Sequence, residues 1–414
     1  IAALKDGGTQ PNGARRGLRL RSALVSAQVA VGFALVTSAG LLLESLHQLY
    51  DANLGYQHAD KVLALDVCCN FTREREAEDA QRIFKAILDR AVALPGARQV
   101  AITDGVPLSS ITPMDATLHI EGQPPVDPAR APRVDVRAVS DDYFSLLGIP
   151  VLSGRAFGAA DGRDARPVAA INQTMARMWG TRNPIGTTFV VGETGPDGKA
   201  PPRLTVVAVV GDVRQFAVDS PASAVFYTPM LQSGFFHGRV LIRTDGDPGQ
   251  LAAGLRAIVH AVDAEVPVSD VQTLEALREN RLTTPRLGAV LLAVFAGVAL
   301  LITLAGLGAV VATTVSQRSR EFGLRMALGA SRRSVLGMVV TQGVWMLGPG
   351  LVLGLGGAVL CGRALESDLY QTPPTQPLVY GVVAALFVIA GLLACLGPAR
   401  RAISIDPLLA LRSE

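Results

Sequence analysis

The sequence predicts an α-helical membrane protein, with four transmembrane helices and a large α+β extracytoplasmic domain between helices 1 and 2. Charged residues make up only 18% of the chain, against about 25% in soluble proteins, and the mean hydropathy is +0.35. An uncharged run of about 20 residues is long enough to cross the hydrocarbon of a bilayer. Four such runs favour membrane spans over buried helices of a soluble protein: Ala23–Leu43, Leu287–Gln317, Val335–Gly362 and Pro377–Ala399.

The distribution of arginine predicts the orientation, because basic residues are enriched in the short cytoplasmic flanks of membrane spans. The loop Glu366–Gln376, between the third and fourth runs, carries two acidic residues and no basic one. We therefore expect a multi-pass protein of the bacterial inner membrane with both termini in the cytoplasm. The arginines of the three cytoplasmic flanks are Arg15, Arg16, Arg19 and Arg21, then Arg318, Arg320, Arg325, Arg332 and Arg333, and finally Arg400, Arg401 and Arg412.

The first run is too long for the apolar region of a signal peptide, which has about 7–15 residues, and we interpret it as an uncleaved anchor. The expected order along the chain is a cytoplasmic segment (1–22), the first span (23–43), the extracytoplasmic domain (44–286), the second span (287–315), a cytoplasmic segment (316–334), the third span (335–361), a short outer loop (362–376), the fourth span (377–399) and a cytoplasmic tail (400–414).

Residues 44–286 alternate irregularly between helical and strand patterns, which predicts an α+β domain. Apolar residues at helical spacing predict helices at Glu74–Leu94 and Pro248–Val262. Gly195-Pro-Asp-Gly198 is a strong turn signal between strands. Short apolar runs predict strands at Val62–Val67, Val168–Ile171, Thr205–Val210, Val225–Thr228 and Val240–Arg243.

Patterns typical of enzymes and of metal sites are scarce. The stretch Gly192–Ala200 resembles a phosphate loop, but Glu193 stands where the first glycine is required and Ala200 replaces the serine or threonine. We interpret it as a hairpin loop, and we expect no catalytic residues, no metal and no cofactor. Large aromatic residues of the domain are expected in its core, and the histidines are too scattered for a metal site. These residues are Tyr143, Phe144 and Trp179, and His47, His58, His119, His237 and His260.

Four cysteines are present, and they do not form a disulfide framework. Cys361 and Cys395 are predicted at opposite ends of neighbouring spans, which is too far apart for a disulfide. Cys68 and Cys69 are adjacent and could pair only as a strained vicinal bond. The extracytoplasmic domain must therefore be stabilised by its own hydrophobic core.

The most informative stretch follows the second uncharged run. On a helical wheel one face carries Arg318, Glu321, Arg325 and Arg332, and the opposite face carries Phe322 and Met326. Glu321 precedes Arg325 by four residues, the favourable order for an ion pair. Gly329 and Ser331 then supply a helix stop and a cap. Such a helix can lie on the membrane surface or dock into a protein groove. The alternative is a basic loop that only fixes the topology.

The segment Gln317–Ala330 closely resembles the Q-R-x-R-E-I-G-I-R-x-A-L-G-A pattern of MacB/FtsX-type ABC transporter permeases. The resemblance covers nearly the whole chain. The start of the chain resembles the junction between the two halves of ADOP-type duplicated permeases, so we expect this chain to be the second half of such a protein. Further matching segments are Leu20–Leu43 with Ala27-Gln-Val29, Val139–Pro150, Gly154-Arg155, Ile171-Asn172, Asn183-Pro-Ile-Gly186, Val207–Arg214, Pro398–Ala402, Asp406-Pro407 and Ala410–Arg412.

The resemblance implies a permease that passes the ATP-driven motion of a separate ATPase to an outer domain, in export or efflux. It places the ATPase contact on Gln317, Arg318, Arg320, Glu321, Phe322, Gly323, Arg325, Met326 and Gly329. The sequence contains no Walker motif, so ATP hydrolysis is expected in another subunit. Independently of the resemblance, Gly350 and Gly354 form a G-x-x-x-G step that predicts close helix packing.

The expected partners are an ABC ATPase subunit, a paired permease half or a second copy of the chain, membrane lipid, and a periplasmic or outer-membrane protein. A net charge of +3 gives no reason to expect nucleic acid. Two alternative functions remain open. One is an FtsX-like transmitter that activates an extracytoplasmic hydrolase without transport. The other is a receptor or scaffold without an ATPase.

The predicted orientation can be tested by labelling single cysteines from outside sealed cells. Probes at Gly198 and Ser367 should react, because both positions lie in segments expected outside the cytoplasm, whereas probes at Ser319 and Ser413 should stay protected. Labelling of the Ser319 probe in sealed cells would contradict the orientation, and lysed cells provide the control for reactivity.

Overall fold

The computed structural model describes residues 11–68, 77–109, 116–122, 132–192, 200–233, 237–318, 321, 324–325 and 331–403. The chain forms two compact units. Residues up to Asp51 and from Thr284 onward form the first, called the membrane unit. Residues Ala52–Thr283 form the second, called the inserted domain.

Four long helices form the membrane unit. All α-helices are numbered in their order along the chain. They are α1 (Pro11–Tyr50), α6 (Leu274–Gln317), α7 (Arg332–Ala364) and α8 (Pro377–Ile403). Within the part of the chain that the structure describes, these four are long and apolar enough to cross a membrane, which confirms the predicted spans. Each helix extends beyond its uncharged run, and α6 begins within the inserted domain.

The core of the membrane unit is centred on α1, whose Val25, Val29 and Phe33 recur every four residues and are buried. The Phe33 ring meets the edge of Phe387 in α8 at a centroid distance of 5.6 Å. By contrast, α6 exposes much of its apolar surface, including Phe295 and Leu301. In a bilayer such side chains contact lipid, so their exposure carries no hydrophobic cost.

The described residues of the inserted domain form four shorter α-helices and eleven strands. The helices are α2 (Ala77–Ala91), α3 (Tyr143–Leu147), α4 (Gln173–Ala176) and α5 (Leu251–Val262), and 3₁₀ turns occur at Ala59–Lys61, Ala159–Asp161, Arg177–Trp179, Met230–Gln232 and Pro248–Gln250. A further 3₁₀ turn, Glu366–Asp368, belongs to the membrane unit. The strands are β1 (Val62–Cys68), β2 (Gln99–Thr103), β3 (Ala116–Ile120), β4 (Arg133–Val139), β5 (Val151–Gly154), β6 (Val168–Asn172), β7 (Thr188–Val191), β8 (Leu204–Val210), β9 (Val225–Pro229), β10 (His237–Arg243) and β11 (Val268–Thr273).

Strand pairing divides the inserted domain into two lobes. The order β11-β1-β10-β2 forms an antiparallel sheet, covered on one face by α2 and α5, which we call the sheet lobe. The order β4-β3-β7-β8-β6-β9 is closed by pairing of β4 with β9, so these six strands form a small barrel, called the barrel lobe. β5 pairs with β8 outside this ring. The lobes are joined where Thr103 of β2 pairs with Val139 of β4.

The strand and core predictions are largely confirmed. All five predicted strands are present, as β1, β6, β8, β9 and β10, with ends that differ by one to three residues. Tyr143, Phe144 and Trp179 are buried as predicted. Cys361 and Cys395 are free thiols, as expected from their separation, whereas Cys69 lies outside the described residues.

Two helices begin or end at residues other than those predicted. The first ends at Ala91 rather than Leu94, because Pro95 disfavours the α conformation of the residue before it. Its predicted start, Glu74, lies outside the described residues. The second begins as a 3₁₀ turn at Pro248–Gln250 before it becomes α5. The predicted turn Gly195–Gly198 lies outside the described residues, but the strands on either side of it, β7 and β8, pair antiparallel.

The inserted domain should fold by itself, because it has buried cores in both lobes. Expressed as Ala52–Thr283, it should be soluble and melt cooperatively. A shorter version, Asn53–Asn280, should melt at a lower temperature, because it loses the hydrogen bond from Arg281 Nε to Leu108 O at 2.8 Å. Circular dichroism of the two proteins checks this. An aggregated or non-cooperative longer version would contradict the prediction.

Candidate functional site

The basic segment, residues 316–334, connects α6 to α7. Gln317 is the last residue of α6, and Arg318 continues it with backbone hydrogen bonds to Thr314 O and Val315 O. Glu321, Leu324 and Arg325 are helical and exposed. The other predicted contact residues, Arg320, Phe322, Gly323, Met326 and Gly329, lie outside the described residues.

Two interactions fix Arg325. Its Nη2 lies 2.6 Å from Glu321 Oε1, the spacing that the sequence favours, and its Nη1 donates to Met338 Sδ in α7 at 2.8 Å. Both side chains of the ion pair are 46% exposed. An exposed i, i+4 pair contributes about 0.3–0.5 kcal/mol, so the pair orients Arg325 more than it stabilises the protein. Arg325 therefore holds a defined position while remaining accessible to a partner.

The start of α7 is capped as the sequence predicts. The Ser331 hydroxyl accepts a hydrogen bond from Ser334 N, and Ser331 has extended backbone angles. An N-cap satisfies one of the free amide groups at the start of a helix. The cap therefore fixes where the basic segment ends and α7 begins.

Gly350 and Gly354 of α7 lie against α1. A Cβ atom added at Gly350 would lie 2.6 Å from Val29 Cβ and 2.8 Å from Ser26 O. At Gly354 it would lie 2.9 Å from Phe33 Cβ. Real Cβ atoms do not approach other carbons this closely, so the two helix backbones are nearer to each other here than any side chain would allow.

Hydroxyl groups add polar contacts between the spans that sequence reasoning missed. Ser26 Oγ in α1 donates to Met346 O in α7 at 3.1 Å, and Thr303 Oγ1 in α6 lies 3.3 Å from Gln28 O. Isolated polar residues in otherwise apolar spans are a signal for such contacts. None of the four uncharged runs carries an Asp, Glu, Lys, Arg or His that would mark a polar pathway.

Helix α6 is continuous through the boundary between the two units. Leu274 and Leu277 are buried in the core of the inserted domain. Leu307, Val311 and Val315 are buried in the core of the membrane unit. The sequence prediction started this span at residue 287 because Arg286 ends the uncharged run, so the extension of α6 was missed.

The two terminal segments of the inserted domain, which follow α1 and belong to the start of α6, contact loops of the same domain. Gly55 has a φ of +85°, and a Cβ added there would lie 1.9 Å from Asp212 O. Arg214 N donates to Leu54 O at 3.0 Å. On the α6 side, Arg281 donates to Leu108 O. Both chain ends of the domain are thus bonded to its own loops.

Residues of the inserted domain that carry the family resemblance are structural. The Asn172 amide oxygen accepts from Met175 N and Val225 N, and its nitrogen donates to Ser223 O, so this one side chain connects three segments. Arg155 forms two hydrogen bonds with Asp161, at 2.6 and 2.7 Å. These bonds lower the pKa of the Asp161 carboxyl below its usual range.

A cleft of about 260 Å³ opens in the inserted domain. Half of its lining residues are apolar, and the others are two amides, two hydroxyls and Arg163. The Gln232 amide already bonds to backbone groups of residues 161, 162, 166 and 168. Among the described residues, no group of three or more His, Cys, Asp or Glu side chains could hold a metal ion. The cleft therefore offers a mixed polar and apolar surface, and its lining shows no recognisable catalytic arrangement.

Four spans with a folded domain inserted after the first define a permease-type membrane protein. A family model described as "MacB-like periplasmic core domain" matches residues 22–267, and one described as "FtsX-like permease C-terminal" matches residues 293–407. The chain belongs to the MacB/FtsX-type ABC transporter permeases. It is thus a multi-pass protein of the bacterial inner membrane with the domains of an ABC-type permease.

Curated relatives are named as exporters. The chain is 25% identical to "Pyoverdine export ATP-binding/permease protein PvdT" of Pseudomonas syringae pv. tomato, over 66% of this chain and 42% of that protein. It is 26% identical to "Macrolide export ATP-binding/permease protein MacB" of Sodalis glossinidius, over 69% of this chain and 44% of that protein. With MacB of Rhodospirillum rubrum it shares 27% identity over 74% and 49%. The matched region spans less than half the length of each of these relatives.

Two solved structures are similar at low identity. The periplasmic region of MacB from Actinobacillus actinomycetemcomitans shares 12% identity, with a TM-score of 0.36, over 55% of this chain and 94% of that one. The extracellular domain of the transporter YknZ from Gram-positive bacteria shares 13% identity, with a TM-score of 0.34, over 51% and 100%. The family assignment depends on the family models and not on these likenesses.

The close contact between α1 and α7 predicts a position-specific effect of adding one methyl group. Gly350→Ala should destabilise the purified protein in detergent by about 1–3 kcal/mol, because the new Cβ overlaps Val29. Gly356→Ala is the matched control, since a Cβ there meets no atom within 4 Å. Thermal unfolding compares the two variants. Equal melting temperatures would contradict the assigned contact.

Proposed function

We propose that this chain is the permease unit of an ABC-type export complex. In this proposal a separate ATPase binds the basic segment, and its ATP-driven motion passes through the spans to the inserted domain. Both termini and the basic segment lie in the cytoplasm, and the inserted domain lies outside. Membership of the permease family and the export names of the curated relatives support the export role.

The observation that carries the proposal is the continuity of α6. One helix of forty-four residues, with Pro285 in its interior, leads from the last strand of the inserted domain to the first residues of the basic segment. An α-helix rises about 1.5 Å per residue and transmits displacement along its axis better than an irregular chain. A pull on the basic segment is therefore communicated to the domain through a helical backbone.

The exposed basic segment supports an ATPase as the partner. Arg325 and Glu321 are oriented by each other and by Met338, yet nearly half of each side chain is accessible. Charged groups at the edge of an interface give specificity and a fast association rate. We propose that Gln317, Arg318, Arg320, Glu321, Phe322, Gly323, Arg325, Met326 and Gly329 form the docking surface.

We further propose a second permease unit as a partner within the membrane, either a paired half or a second copy. The exposed apolar surface of α6 is available for lipid or for such a unit. A protein of the periplasm or the outer membrane completes the export path. Gly350 and Gly354 hold α7 against α1, so that the unit moves as a packed bundle.

The match to the FtsX-like model favours one alternative. In it the chain transmits the same motion without transport, and the inserted domain activates an extracytoplasmic hydrolase. The match covers residues 293–407, which include the last two spans and most of the second. Co-purification of a hydrolase together with an ATPase would favour this alternative over export.

The ATPase contact is tested by reversing the charge at Arg325. Tagged full-length protein is purified from native membranes, and the bound ABC ATPase is identified by mass spectrometry. Arg325→Glu should reduce recovery of the ATPase about tenfold or more, since losing a charge contact at an interface costs at least about 1.4 kcal/mol. Insertion should be unaffected, because the other arginines of the segment keep it inside.

Two controls separate docking from local helix stability and from bulk charge. The double variant Glu321→Arg with Arg325→Glu restores an ion pair within the segment but not the original surface charge, so recovery should stay low. Arg333→Glu makes the same charge change at an exposed position outside the proposed surface and should retain the ATPase. Full recovery with Arg325→Glu, or rescue by the double variant, would contradict docking through Arg325.

A further inference from the structure

One stretch of helix α6 has no packing on any side. Leu282 is 2% exposed and Ala289 is 1% exposed, but the six residues between them, 283–288, are all exposed. Six residues make more than one and a half turns of an α-helix, so every face of the helix is uncovered here. Most of the stability of a helix in a protein comes from packing of one face. This stretch, which we call the bare segment, therefore lacks the main support of a helix.

The backbone of the bare segment is also weaker than that of the rest of α6. Pro285 has no N–H group, so it cannot donate a hydrogen bond to the residue four positions earlier, and its ring crowds that turn. Gly288 follows three residues later, and a Cβ atom added there would meet no atom within 4 Å. Glycine weakens a helix relative to alanine. Two residues that weaken a helix therefore lie within one turn of each other.

The other prolines inside the long helices are held by packing. Pro349 of α7 lies between Leu347, which is buried, and Gly350, which lies against α1. Pro398 of α8 is followed by Ala399, which is fully buried. Contacts next to these two prolines limit bending of the backbone. Within the described residues, the proline of α6 is the one that lies in a stretch of long helix exposed on every side.

The helix is fixed on both sides of the bare segment. On the N-terminal side, Leu277 is buried in the core of the inserted domain, and Arg281 Nε donates to Leu108 O at 2.8 Å. On the C-terminal side, Ala289 is buried, and Leu307 belongs to the core of the membrane unit. The boundary between the two units falls inside the bare segment, between residues 283 and 284. Bending of α6 within this segment breaks no side-chain packing.

The second connection between the two units is not helical. Helix α1 ends at Tyr50, and residues 51–58 form neither helix nor strand. Leu54 is already fixed to the inserted domain, because its carbonyl oxygen accepts a hydrogen bond from Arg214 N at 3.0 Å. A few irregular residues absorb changes in backbone angle without loss of a helix. This connection therefore allows α6 to bend.

We infer that residues 283–288 of α6 form a hinge, centred on Pro285, about which the inserted domain tilts while α6 remains one helix. A pull along the axis of α6 still passes through the segment, whereas sideways bending is concentrated at the proline. The use of this motion rests on the proposed function, in which movement of the basic segment would become a tilt of the inserted domain. The hinge itself is tested without an ATPase and without transport, so its failure and the failure of the proposed function are distinguishable.

Distances between spin labels in the full-length protein, measured in detergent, report the bending. One label is placed at Val92→Cys in the inserted domain and the other at Cys361 in the membrane unit, and both positions are exposed. The remaining native cysteines are replaced by alanine. A reference pair within the inserted domain, Val92→Cys with Leu152→Cys, gives the width of a distance distribution without a hinge. The pair that spans the two units should give a broader distribution than the reference pair.

Pro285→Ala supplies the missing backbone donor and should remove the excess width. It should also slow amide hydrogen exchange in peptides covering residues 283–288 by about tenfold or more, because a helix-interior proline is strongly destabilising. Pro349→Ala is the matched control, since it makes the same substitution in a packed stretch of α7. It should leave the excess width and the exchange of residues 283–288 unchanged.

Three results would overturn the hinge. The first is an excess width that persists in Pro285→Ala, and the second is an equal loss of width in Pro349→Ala. The third is a wild-type distribution between the units that is no broader than the reference, which decides the matter without any proline variant. If Pro285→Ala does not fold, Gly288→Ala replaces it, because the added Cβ meets no neighbour. This variant should narrow the distribution and slow the exchange in the same direction, and no change in either would count against the hinge.

Discussion

Peptide groups in the hydrocarbon of a membrane find no water to bond, so every crossing of this chain must satisfy its own backbone. The four helices do so, and this requirement decides where irregular structure can occur. The inserted domain begins after α1 ends at Tyr50, and it ends at Thr283, within the N-terminal part of α6. Because α6 stays helical to Gln317, no loop separates the last strand of the domain from the basic segment. The helical structure that satisfies the backbone within the membrane therefore also connects the inserted domain to the basic segment.

The interactions that hold the spans together differ from those that stabilise the core of the inserted domain. Lipid tails are as apolar as leucine, so burial of apolar side chains does not draw helices together. Close van der Waals contact does, and glycines at positions 350 and 354 allow α7 to approach α1. The polar contacts between spans are made by hydroxyl groups to backbone oxygens. The positions of these glycines and hydroxyl groups, and not the amount of apolar surface, therefore decide which helices lie together.

Much of this architecture could be predicted from the sequence, and the exceptions have physical causes. The spans and the strands β1, β6, β8, β9 and β10 have strong apolar patterns. β4 was missed because Asp135 and Arg137 alternate with valines and suggest an exposed face, whereas both are buried. In the basic segment, the spacing of Glu321 and Arg325 predicts their ion pair. The contact of Arg325 with Met338 could not be predicted, because it depends on how α7 packs beside the segment.

The buried charges of β4 distinguish this strand from the two cores beside it. A buried ion pair is weak evidence for stability, since apolar residues of similar volume are often as stable or more so. The sheet-lobe core and the barrel core follow that rule, because both consist of apolar side chains. Strand β4, which pairs with β2 of the other lobe, does not follow it, because its Asp135 and Arg137 form an ion pair that is at most 4% exposed. Removing one partner of such a pair leaves the other charge buried and unpaired, which is strongly destabilising. The pair must therefore be kept or replaced as a unit, whereas an apolar side chain of either core can be exchanged by itself for another of similar volume.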